Sequence, residues 1–296
     1  MFRAASANLS WSRRPEGSVY LGHYGLQELP FGITPDTSFV YSAAAHQEAL
    51  NTLLVAIAGG EGFVKITGEV GTGKTLLCRR FLASLDENTV SAYIHNPQLE
   101  PRTLLLAVAH ELGISLEKYD YQFRLIEILG NALLEMAGQG KRVVVCIDEA
   151  QAMPLETLES LRLLSNLETE KRKLMHVVLF GQPELDVKLA DPSVRQLRQR
   201  IAFEYRLKPL SRDEMRHYLA HRLRVAGYRG SNELFSSAAV SALHKAGGGT
   251  PRVINILANK AMISAYGEGR QQIQRRHIVT AARDSVGIAQ QIGRWF

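Results

Sequence analysis

Gly68-Glu69-Val70-Gly71-Thr72-Gly73-Lys74-Thr75 decides the fold. The stretch fits G-x-x-x-x-G-K-[ST]. It lies between a short run of β-formers at 63–67 and a helical pattern through Leu76, Leu77, Phe81 and Leu82. Glycines admit backbone angles closed to other residues, so successive N–H groups can turn inward on a phosphate. Lys74 brings a compact positive charge to the β- and γ-phosphates, and the Thr75 hydroxyl suits Mg²⁺. The helix that begins here adds its positive N-terminal end. A chance match in a glycine-containing turn leaves the flanking strand and helix unexplained. The loop with Leu76 is therefore the expected binding site for ATP and Mg²⁺.

Outward from the loop, strand and helix patterns alternate. Apolar residues recur at helical spacing at Ala49, Leu50, Leu53, Leu54 and Ile57 ahead of the first strand. Further strands are predicted at 90–94, 143–147, 177–180 and 201–207. Helices are predicted near 101–112, 121–137, 155–167 and 193–199. Residues 143–147 are apolar on both faces, as a central parallel strand should be. The pattern predicts a three-layer α/β domain with a parallel five-stranded sheet. After Pro209 the β signal stops, and helical patterns at 212–225, 236–245, 251–266 and 275–285 predict a smaller all-α lid domain. The expected organisation is a disordered extension over 1–18, a nucleotide-binding domain over 19–208 and the helical domain over 209–296.

Beyond the loop, four features carry chemistry. Strand 143–147 ends in Asp148-Glu149, where a parallel sheet faces its ligand crevice. Asp148 is placed to reach the Mg²⁺ shell, and Glu149 to act as general base on the attacking water. Two acids after a strand are often an ordinary surface turn; the upstream phosphate loop favours the catalytic reading. Gln182 follows the fourth strand and is expected to orient the lytic water beside Glu149, against the alternative of a polar turn residue. Arg195, Arg198 and Arg200 crowd the approach to the last strand. Arg200 is the first candidate, and Arg198 the second, for a cation offered to a neighbouring subunit's γ-phosphate. Gly247-Gly248-Gly249-Thr250-Pro251-Arg252 opens a strongly periodic helix. Thr250 is expected to cap it, and Arg252 to contact phosphate if this domain folds over the nucleotide.

Composition limits the remaining possibilities. The 296 residues are 46% hydrophobic and 22% charged, as in soluble globular proteins. No run of about eighteen apolar residues offers a membrane span. Cys78 and Cys146 lie in apolar periodic segments, and the nine histidines lack metal-ligand spacing. Disulfide scaffolds and zinc sites are thereby disfavoured, and a reduced cytoplasmic compartment is expected. The net charge of +6 permits contact with nucleic acid or an anionic membrane without demanding it.

Taken in order, these residues resemble the AAA+ ATPases of the ExeA/GspA type, and among them the ATPases of MSHA-type pilus biogenesis. The resemblance runs from about Val19 to Ala282. It rests on Tyr24-Gly25-Leu26, Pro30-Phe31-Gly32-Ile33-Thr34-Pro35-Asp36, the phosphate loop, Ile147-Asp148-Glu149-Ala150-Gln151, residues 179–185, Gln199-Arg200-Ile201 and residues 249–255. It implies ATPase activity coupled to assembly of an envelope-spanning pilus or type II-like secretion machine, and a homo-oligomer in the ATP-bound form. It also implies that residues 31–36, with Phe31 and Ile33, lie near the adenine. ExeA-type proteins continue into a membrane span and a peptidoglycan-binding domain, whereas this sequence ends at Phe296. Any place at the inner membrane is therefore expected to come through partners. The competing reading is a DNA-binding AAA+ ATPase of the transposition-regulator type, whose activity should respond to DNA. A small-molecule kinase is disfavoured by Arg252 and the helical C-terminal domain.

Overall fold

The computed structural model describes residues 18–34, 37–39, 41, 43–115, 122–165 and 173–285. The extension expected over 1–18 and the Pro35-Asp36 pair lie outside them, save for the backbone of Ser18. A short helix α1 (Leu21–Tyr24) precedes α2 (Ala44–Ala58), β1 (Phe63–Gly68) and α3 (Lys74–Ala83). Next come β2 (Thr89–Ile94), α4 (Pro101–Glu111), α5 (Gln122–Gly138), β3 (Arg142–Ile147) and α6 (Leu155–Ser165). The α/β part closes with β4 (His176–Gly181), α7 (Glu184–Leu189), α8 (Arg195–Arg198) and β5 (Ile201–Leu207). Four helices follow: α9 (Arg212–Val225), α10 (Ser237–Gly247), α11 (Pro251–Gly267) and α12 (Arg275–Arg283).

The strands form one parallel sheet in the order β2-β3-β4-β1-β5. Alternate residues of each strand point to opposite faces, and both faces here are covered. Val143, Val145, Ile147, Val177 and Leu179 pack under α4, α5, α6 and α8. Val64, Ile66, Val144, Cys146, Val178 and Phe180 pack under α2 and α3. Each such side chain, fully buried, contributes roughly 1.5–3 kcal/mol. The three-layer α/β fold with a parallel five-stranded sheet expected from the alternation is the fold observed. Lys65 interrupts the apolar run of β1; it is 6% exposed and lies 2.7 Å from Asp186 and 3.0 Å from Glu204.

The C-terminal helices bury a separate core of Met215, Leu219, Leu243, Leu257, Ala261 and Met262. One feature of this core differs from the sequence reading. Tyr20, Tyr24, Leu26, Phe31, Phe39 and Ala43 pack into it, although residues 19–208 were expected to form the α/β unit. Tyr24 donates to the Met262 carbonyl at 3.1 Å, and Gln27 N–H to the Ala226 carbonyl at 2.8 Å. Aromatic residues in an aperiodic stretch show that they will be buried, but not in which core. Helix α7 was also not foreseen, because six residues are too few to show a period.

Candidate nucleotide-binding site

The parallel register puts the turns after β1, β3 and β4 side by side, since β1 pairs with β4 and β4 with β3. Between them and the C-terminal helices lies a cavity of about 370 Å³. Residues 70–77 of the phosphate loop and α3 line it, together with Ile33, Glu149, Tyr218, Arg222 and Arg252.

The loop takes the conformation its glycines predict. Gly71 has φ +81° and Gly73 φ +96°, both in the left-handed region. At Gly68 a Cβ would meet Thr72 Oγ1 at 2.8 Å and Leu207 Cβ at 3.0 Å. Lys74 is buried beneath the loop and donates to the carbonyls of Gly68 and Glu69, at 2.8 and 3.0 Å. Burial holds its ammonium below the usual lysine range, against the opposing pull of Glu149, Asp148 and Glu69. Gly68 and Glu69 do not themselves line the cavity; their carbonyls set the lysine.

Thr75 Oγ1 donates to Asp148 Oδ2 at 2.6 Å, and Tyr93 donates to the same oxygen at 3.3 Å. Asp148 is 3% exposed and has no basic side chain within 4.0 Å among the described residues. A buried carboxylate beside a hydroxyl, both hard oxygen donors, fits Mg²⁺ accompanied by a phosphate.

Glu149 has φ +53°, the one non-glycine positive φ among the described residues, and such strain is held only where surroundings impose it. Gln182 Nε2 donates to Glu149 Oε2 at 3.0 Å, and Gln151 donates to the same oxygen. Burial pushes the Glu149 carboxyl up. The bonds from Gln151 and Gln182 and the charge of Lys74 outweigh it, so the group ends below the usual glutamate range.

Arg252 reaches the cavity from the start of α11. The expected cap by Thr250 is not made: its side chain makes no cap bond. The first-turn N–H of Arg252 donates instead to the Gly71 carbonyl at 3.3 Å. A donor that a capping side chain would normally satisfy is thus satisfied by the phosphate loop.

One expectation needs correction. Phe31 is 3% exposed and packs edge-on against Phe235, with centroids 5.8 Å apart. Its apolar ring is claimed by the helical core, while its neighbours Gly32 and Ile33 face the cavity. Arg200, expected to serve a neighbouring subunit, sits before β5, where Ile201 pairs with Phe63. That is the end of the sheet opposite the loop, about 20 Å away at ~3.3 Å per strand residue. Arg195 and Arg198 lie in α8 on the same side.

Sequence reasoning missed several cavity residues. His46 lies 2.8 Å from the Thr72 carbonyl through Nε2. Burial holds its ring below the ordinary histidine range. Arg222, 8% exposed, donates to the Pro30 carbonyl and, at 3.1 Å, to Tyr218 OH, with Phe39 stacked 4.7 Å away. Tyr218 donates to Asn255, which donates to the Gly32 carbonyl at 3.0 Å. A buried arginine inside a helical pattern has no sequence signature.

Fold and site together define a nucleotide-binding protein with the α/β AAA+ fold, and residues 57–189 match the family described as AAA domain. Over 277 residues, 94% of its length, the chain is 42% identical to General secretion pathway protein A of Aeromonas hydrophila. It spans 50% of that protein's length. Among solved structures it is similar to Cdc6p of Pyrobaculum aerophilum (TM-score 0.62, 16% identity, 85% of this chain and 71% of that one). It is also similar to a chain of Drosophila ORC bound to DNA (0.63, 16%, 98% and 72%). The Thermotoga maritima RuvB branch migration motor gives 0.55 at 17%, over 82% and 69%. At these identities the structural likenesses establish the fold alone. Among the described residues no helix is long and apolar enough to cross a membrane.

Proposed function

We propose that this protein binds ATP with Mg²⁺ and hydrolyses it as an oligomeric AAA+ ATPase of the ExeA/GspA type. Its work is assembly of an MSHA-type pilus or type II-like secretion machine, in the manner of the pilus biogenesis ATPase MshM. The observation that carries hydrolysis is Glu149, held by Gln182 at 3.0 Å and lining the same cavity as the phosphate loop. The resemblance over 94% of the chain to a general secretion pathway protein supports the assembly role.

The roles follow from chemistry. Lys74 stabilises negative charge on the β- and γ-phosphates, in a setting whose low water content strengthens each electrostatic contact. Thr75 and Asp148 hold Mg²⁺, which when bound offsets phosphate charge. Glu149 is ionised at neutral pH and accepts the proton of the attacking water; Gln182 orients the two. Arg252 carries the phosphate's state to the helical layer. Arg200, too far to serve its own loop, serves a neighbour's. We divide the chain at 208/209, with Tyr20, Tyr24, Leu26, Phe31, Phe39 and Ala43 tying the N-terminal part to the helical core. Its place is the cytoplasm, peripheral to the inner membrane through envelope partners.

ATP turnover and particle mass test this for the wild type and Glu149→Gln, each with and without duplex DNA. The variant should retain ATP, lose hydrolysis and accumulate as an oligomer, and DNA should change little. Unchanged turnover would remove Glu149 as the base. Stimulation by DNA with a steep salt dependence would favour the transposition-regulator reading.

A further inference from the structure

Glu149 carries a second bond that the hydrolysis scheme does not use. The Gln151 amide sits between the turns after β3 and β4. Its Nε2 donates to Glu149 Oε2, and its Oε1 accepts the main-chain N–H of Gln182 at 2.9 Å. Amide oxygen and nitrogen are normally hard to tell apart, but here both partners are unambiguous. A main-chain N–H only donates and an ionised carboxylate only accepts, so a flipped amide would lose both bonds. Glu149 Oε2 is therefore fixed by two amides, those of Gln151 and Gln182. Oε1 has no hydrogen bond among the described residues and remains for water.

The surroundings hold this arrangement in place. A Cβ on Gly181 would lie 3.3 Å from Gln151 Oε1 and 2.7 Å from Leu185 Cδ2, so only glycine leaves both side chains where they are. Lys188 on α7 donates to the Met153 carbonyl at 2.6 Å, a second tie between the same two turns. The positive φ of Glu149 turns its side chain toward these amides at a cost that the ties must offset.

We infer that Gln151 is a positioning residue for Glu149, setting the carboxylate's angle from the backbone of the β4–α7 turn. This rests on the reading of Glu149 as general base. A base displaced by about 1 Å costs on the order of 100-fold in rate while leaving nucleotide affinity alone.

The experiment measures kcat and, separately, the Kd of a fluorescent ATP analogue for Gln151→Glu and Gln151→Met in the full chain. Gln151→Glu keeps the acceptor for Gln182 N–H but sets a carboxylate against Glu149. Gln151→Met loses both bonds at similar volume. Positioning predicts that kcat falls about 10- to 100-fold in both, with Kd within about 2-fold of wild type. It also predicts no further loss when either is added to Glu149→Gln under single turnover. A role confined to pinning the turn would leave Gln151→Glu near wild-type turnover, and that result overturns the inference. So does a loss that persists in full in the Glu149→Gln background. Failure of the base assignment itself shows differently, as wild-type turnover by Glu149→Gln alone.

Discussion

Arg252 and Gly71 are joined main chain to main chain, the N–H of the first donating to the carbonyl of the second at 3.3 Å. The phosphate loop and the helical layer thus touch at the level of backbone. A Cβ on Gly71 would lie 2.6 Å from Arg252 Cβ and 3.2 Å from Thr250 Cγ2, at a φ of +81°. Gly71 is needed twice, for the loop's turn and for the approach of α11.

Gly71→Ala should therefore separate α11 from the loop. ATP affinity is expected to fall about tenfold or more, on the order of 1.4 kcal/mol, in a fluorescent-nucleotide titration. Val55→Ala, at an exposed position of α2 outside the cavity, serves as control and should bind within about 2-fold of wild type, since exposed substitutions stay within ~0.5 kcal/mol.

Arg222→Ala strips the Pro30 carbonyl and Tyr218 OH of a donor and leaves a hole beneath Phe39. The expected cost is about 2–4 kcal/mol, read as a drop in the urea midpoint. ATP should protect the variant less than it protects the wild type, because the residues lost line the cavity.

Two histidines, His46 half-buried and His176 buried, set an acid limit. Burial lowers His46, opposed by its bond to Thr72 and the charge of Glu214, with Arg80 lowering it further. Burial also lowers His176, opposed by its bond to and the charge of Glu61, with Arg142 lowering it further. Below an unfolded value of about 6.5 the unfolded chain takes up protons that the folded chain refuses. Stability contributed by these rings is thus full above that pH and lost as pH falls toward their lowered folded values. Urea unfolding at about pH 7.5 and 5.5 should show the loss, and His176→Asn should flatten it. An unchanged slope would mean that other groups dominate.

Arg200→Ala should bind ATP as the wild type does, because Arg200 lies at the far end of the sheet. Turnover should be lost when the variant is assayed alone. Mixed with Glu149→Gln, which lacks the base but keeps the arginine, part of the activity should return in oligomers that pair an intact base with an intact arginine. Absence of recovery would count against action between subunits.

The α/β frame was legible because its signals are local. The glycines at 68, 71 and 73 fix a turn, 143–147 are apolar on both faces, and Asp148-Glu149 terminate that strand. The order of the strands, and hence the meeting of Gln182 with Glu149, needed the parallel pairing of β4 between β3 and β1. Phe31 was misplaced because resemblance located its segment near the base without saying which side chains turn away. Arg222 and His46 escaped notice because their partners Pro30 and Thr72 are distant in sequence, and Gln151 because its link to Gln182 spans two separate turns. Thr250 looked like a cap until the loop carbonyl took the donor it would have served.

The aromatic residues near the start of the chain have a consequence for its synthesis. Tyr20 bonds Asn259 and Tyr24 bonds Met262, separations of 239 and 238 residues. A ribosome releasing this chain exposes Tyr20 and Tyr24 long before their partners exist. The helical core therefore cannot close around them until Asn259 and Met262 have emerged. Because that core carries Arg252 to the phosphate loop, no nascent fragment holds a complete clasp on nucleotide.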